Sequence, residues 1–159
     1  MIQDVNEKVL PSMLPDAALF LLRFSTAAML IAYHGFGKIS GAYANLVHGQ
    51  EWGFTNFVAG LGFPFARLFA VCAALAEVGG GLLLAAGLWT RYASPFIAFT
   101  MLVAVYYHVS TGTGFELAAF YFLIALTFVF VHPGRISLDA LIFNRAKRSA
   151  TSAVVTDTA

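Results

Sequence analysis

The stretch AALFLLRFSTAAMLIAYHGFGK, residues 17–38, decides the fold. A helix rises roughly 1.5 Å per residue, so about 20 mostly apolar residues cross a bilayer. This run is that long and carries one charge, Arg23, before it reaches YHGFGK at residues 33–38. A greasy helix that closes on a histidine, two glycines and a lysine raises a question. His34 and Lys38 stand four apart, so on a helix they share a face. That face is either an interfacial anchor or one wall of a site.

The composition agrees with a membrane reading. The chain of 159 residues is 60% hydrophobic and 11% charged, with a mean hydropathy of +0.80. A soluble domain is about half apolar and about a quarter charged. The net charge of +1 argues against a nucleic-acid partner. One cysteine, Cys72, excludes an intrachain disulfide and a paired-cysteine relay. Set in LFAVCAALA, it reads as a small buried hydrophobe. The leading MIQDVNEKVLPSMLPD is too polar and acidic for a secretory signal, so the first apolar run is expected to stay in the mature protein.

Three further apolar runs follow, from about Ala66 to Trp89, Tyr92 to Val109 and Phe115 to His132. The joins at Thr90-Arg91 and STGTG are short, and short joins make neighbouring helices antiparallel. The expected fold is all-α, an integral membrane four-helix up-down bundle. Residues 1–16 would form an N-terminal segment, 17–143 the membrane domain and 144–159 a basic tail. The connection from Ile39 to Arg67 is rich in glycine, but Phe54, Phe57, Val58 and Leu61 recur at i, i+3, i+4 and i+7. With Trp52 in front, this predicts an amphipathic segment lying as a lid over one end of the bundle. GRISLDALIFNRAKRS predicts a short interfacial helix, with Leu138, Leu141 and Ile142 on one face and Arg145, Lys147 and Arg148 after them. Most basic residues, including Lys8, Arg91 and Arg135, fall on the side of the termini. By the positive-inside rule that side is cytoplasmic.

Ionisable residues in a bilayer are costly, about 2.5–3.5 kcal/mol each on insertion scales, and mark sites. His34, Lys38, His108 and Glu116 are expected at one outer depth, on three helices. Glu77 lies deeper, with Arg23 from below or His34 and Lys38 from above as its partner. Each has a bland alternative. Lys38 can snorkel, the histidines can be satisfied interfacial groups, Glu116 can complement a helix dipole, and Glu77–Arg23 can be a structural pair. In AEVGGGLLLAAG, small residues four apart predict that the second span packs closely and centrally.

HGFGK, LGFP, E-x-GGGLLLAAGLWTR, His108, Glu116 and PGRISLDAL, taken in order from about Leu19 to Phe143, resemble the DoxX family. The resemblance implies a small four-helix bacterial inner-membrane protein. Some relatives are subunits of thiosulfate:quinone oxidoreductase, and others associate with oxidative-stress and thiol-handling enzymes. It also supports Arg23, His34, Lys38, Glu77, His108 and Glu116 as the positions of interest.

Quinone-linked redox work is one reading. Glu77, His34 and His108 would carry protons, with Lys38, Glu116, Arg23 and Tyr107 as ligand-binding groups beside an aromatic wall of Phe36, Tyr106, Tyr107 and Tyr121. No motif for flavin, nicotinamide or iron–sulfur is present, so electrons would come from a partner subunit or the substrate. The other readings are a non-catalytic anchor of a redox complex, a homo-oligomer among its possible forms, and a binder of a small hydrophobic molecule. Haem between His34 and His108 is disfavoured, because a lone histidine pair lacks a spacing motif.

Overall fold

The computed structural model of the chain describes residues 2–144, with side chains from residue 13. The tail with Arg145, Lys147 and Arg148, and the side chain of Lys8, lie outside the described residues. The described residues are helical, without strands. The helices are α1 (Ile2–Leu30), α2 (Phe36–His48), α3 (Gly53–Gly60), α4 (Ala66–Ala86), α5 (Thr90–Thr111) and α6 (Glu116–Phe130). A short helical segment follows at 138–144.

The first helix does not stop at YHGFGK. Residues Ile31–Gly35 form one π turn, in which the Phe36 N–H reaches back to the Ile31 carbonyl, and the chain continues as α2 to His48. The glycines that suggested a helix end mark a bulge instead, a feature common at functional sites. The apolar helix from Met13 to His48 is thus longer than expected. With α4 and α5 it makes, among the described residues, three helices long and apolar enough to cross a bilayer. α6 is apolar but has 15 residues, fewer than the ~20 of a straight crossing. Large apolar side chains face outward along every long helix, among them Leu21, Phe24, Leu82, Phe96 and Phe120. Such a surface suits contact with lipid.

α4 is central, touching α1 on one side and α5 on the other, while α5 carries α6. Its small residues explain the fit. A Cβ on Gly80 would come 3.0 Å from Ile97 Cγ1 on α5, and one on Gly81 3.0 Å from Ile31 Cγ1 in the π turn. Cys72 does not share this burial. It is exposed on α4. α3 folds back on α4 as a lid. Its entry residue Trp52 is buried with Ala42, Val58, Ala70 and Ala74. Gly41 makes room for it, since a Cβ there would lie 2.6 Å from Trp52 Cδ1.

Candidate functional site

Between α3 and the upper parts of α1–α2, α4, α5 and α6 lies a cavity of about 480 Å³. Its lining is mostly apolar and aromatic. The lid contributes Phe54 and Phe57, α4 contributes Phe69 and Glu77, and α5 and α6 contribute Tyr107 and Tyr121. Phe57 holds Tyr107 edge-on, with ring centroids 4.8 Å apart. His34, Lys38 and His108 also line the cavity.

Glu77 is fully buried. Its partner is Lys38, whose Nζ bonds Oε1 and also lies 4.8 Å from the centre of the Phe54 ring. So Lys38 bends inward to Glu77. The π turn brings the two helices together here, because Gly35 lacks a side chain: a Cβ on it would come 2.7 Å from Val78 Cγ2 and 3.5 Å from Glu77 Cβ. Gly35 therefore serves contact with α4, and Gly41, not Gly37, serves the lid.

Two polar atoms in this wall have no hydrogen-bond partner among the described residues, Glu77 Oε2 and His34 Nε2. Buried polar atoms are rarely left so. The His34 ring meets Tyr121 edge-on at 5.6 Å. His108 is fixed through Nδ1 by Thr113 Oγ1, 2.8 Å away, a partner that sequence reasoning missed.

Several expected members lie elsewhere. Glu116 is exposed at the start of α6 and does not line the cavity. Phe36 and Tyr106 point outward, each 67% exposed, so the aromatic wall keeps Tyr107 and Tyr121 and gains Phe54 and Phe57 from the lid. Arg23 is not the partner of Glu77. It stands eleven residues before His34, about 16 Å down the helix. There its Nη1 donates to the Pro133 carbonyl at 2.6 Å and its Nη2 to that of Ile136 at 2.7 Å.

That end of the molecule forms a polar clasp. Asp16 Oδ1 accepts the Arg135 N–H at 2.8 Å. Asp139 accepts the N–H of Trp89 at 2.9 Å and that of Thr90 at 3.3 Å. The carboxylate thus caps α5 and holds Trp89 at its positive φ of 48°. The segment PGRISLDAL is bound down through three charged side chains, Asp16 and Arg23 of α1 and its own Asp139, which reaches the start of α5.

A family model described as DoxX matches residues 18–110. The chain belongs to the DoxX family. The matched part of this DoxX protein holds Arg23, the π turn, the lid, Glu77 and His108, but not Glu116 or the clasp segment. Neither a curated protein nor a solved structure matches the chain. Among the described residues no group of three His, Cys, Asp or Glu could hold a metal ion.

Proposed function

We propose that this DoxX membrane protein binds the ring of an isoprenoid quinone in its lidded cavity, as the membrane subunit of a quinone-linked redox system. The supporting observation is an aromatic cavity whose wall carries an ion pair and two unpartnered polar atoms, Glu77 Oε2 and His34 Nε2. An apolar pocket with a few convergent polar groups suits a ring with oxygens at its edge. Such a site, built on apolar helices, is reached from the lipid in which quinones dissolve. Electrons enter or leave through a partner subunit. We further propose that α6 crosses with its flanking residues, giving four spans, and that both termini face the cytoplasm of a bacterial cell. The basic residues on the clasp side support that orientation.

The test is extraction from native membrane. Quinone, counted together with its quinol, should copurify at about one per chain. Ala104→Trp, which fills the cavity from α5, should remove it while the melting temperature holds. Absence of quinone from the wild-type chain, or equal retention by the variant, overturns the reading. A Soret band in place of quinone would instead favour haem on His34 and His108.

A further inference from the structure

Resting on the quinone-site reading, we propose that the cavity selects the reduced, hydroxyl-bearing form of its ligand, a hydroquinone over the dione. Glu77 supplies the argument. It is fully buried, with Lys38 on Oε1 and no partner on Oε2 among the described residues. Paired with an ammonium, it is a carboxylate, and a carboxylate only accepts hydrogen bonds. A dione head brings acceptors alone and would set a carbonyl oxygen against Oε2. A hydroquinone brings an O–H to it, forming the charge-assisted O–H···O⁻ bond, which is among the stronger kinds.

The neighbours restrict the choice further. The Lys38 ammonium gives one N–H to Oε1 and lies over the face of Phe54; any donor it has left serves a carbonyl and a hydroxyl oxygen alike and does not discriminate between the two forms. His34 Nε2, also unpartnered, accepts a hydrogen bond in one neutral tautomer and donates in the other. It can therefore serve a hydroxyl in either state, whereas a carbonyl needs the donor form. His108 has Nδ1 occupied by Thr113. The wall thus holds one fixed, unfilled acceptor, and the ligand form that carries a donor satisfies it. An unfilled buried acceptor is penalised in any complex with the dione, and the penalty falls on selectivity.

The experiment uses the full chain in detergent, titrated anaerobically by calorimetry with three probes: decylubiquinone, decylubiquinol, and the dimethyl ether of the quinol, which keeps the ring and oxygens but has no O–H. The quinol should bind roughly tenfold or more tighter than the other two, a ratio equal to about 1.4 kcal/mol. Glu77→Gln brings its own N–H donor and should reduce the preference to within about threefold. The three wild-type titrations decide the question even where that variant does not fold. Equal binding of quinol and quinone overturns selection and leaves the quinone site standing. Equal binding of quinol and ether overturns the part played by the donor. Binding of none of them overturns both the selection and the site.

Discussion

The two ends of the first long helix solve the same problem in opposite ways. Both set a cation from α1–α2 among apolar helices, Arg23 fully buried and Lys38 in part. At the Arg23 end the guanidinium forks to two backbone carbonyls, and Asp16 and Asp139 bind down the rest of the segment. Arg23 Nε and the hydroxyls of Thr90 and Ser94 also lack a partner among the described residues, but these residues are packed inside and do not line the cavity. At the Lys38 end the ammonium takes one carboxylate oxygen, and the other oxygen, on a residue that lines the cavity, has no partner among the described residues. Polar contacts in a packed interior specify a fold. Contacts left half made, at a place where a molecule fits, are what a binding site requires.

The first way to break the comparison is to remove Arg23. Arg23→Leu strands the Pro133 and Ile136 carbonyls, and each unpaired group costs about 1–3 kcal/mol. We expect a loss of about 4 kcal/mol and faster proteolysis around residues 133–139. Arg23→Lys should recover little of it, because one ammonium does not match a planar fork. Thermal melting of the purified variants gives the answer. A melting temperature near wild type would mean that the clasp is not held by this residue.

A smaller effect is expected at the other end. Glu77→Gln deprives Lys38 of its counter-charge, and hydrogen bonds to charged groups contribute about 1.5–3 kcal/mol. The Lys38 side chain is 26% exposed, however, and can turn toward water. The cost should stay near the lower bound, about 1.5 kcal/mol, while ligand retention changes strongly. A variant as damaged as Arg23→Leu would make the outer pair a second structural clasp.

The sequence revealed these ends unequally, for reasons that can be named. The second and third spans were legible within a few residues, because Pro64, Gly87 and Gly112 punctuate them. The central place of α4 was legible in its small residues. The lid was legible in its apolar period. The continuation of the first helix was not, because Gly35 and Gly37 look like a stop. The signal that contradicts them lies just beyond: Ile39, Ala42, Tyr43, Leu46 and Val47 keep a helical period through α2. The partner of Glu77 was left open among Arg23, His34 and Lys38 because the choice depends on the vertical register of α4 against α1. That register is set by Gly80 and Gly81 against neighbours distant in sequence. The clasp was invisible for the same reason: Arg23 binds carbonyls, and backbone atoms carry no residue signature.

Glu116 is where depth misled most, and it yields the finest test. Its position in the chain puts it level with His108, but depth says nothing of rotation about the helix axis. α6 is apolar on all sides, so its sequence gives no face. The structure turns Glu116 outward, at the exposed start of the helix. An exposed acid in a first turn interacts with the helix dipole by about 0.3–1 kcal/mol. Glu116→Gln should therefore lower stability by no more than about 1 kcal/mol and leave ligand binding unchanged. Combined with His34→Gln in a double-mutant cycle, its effects should add within about 0.3–0.5 kcal/mol, as for sites without shared partners. A coupling above that, read from melting or from ligand titration, would bring Glu116 into one network with His34. The unpartnered acceptor on Glu77 would then have a competing carboxylate nearby, and the contrast between a packed end and one that borders a cavity would need to be redrawn around three acidic and basic groups rather than a single pair.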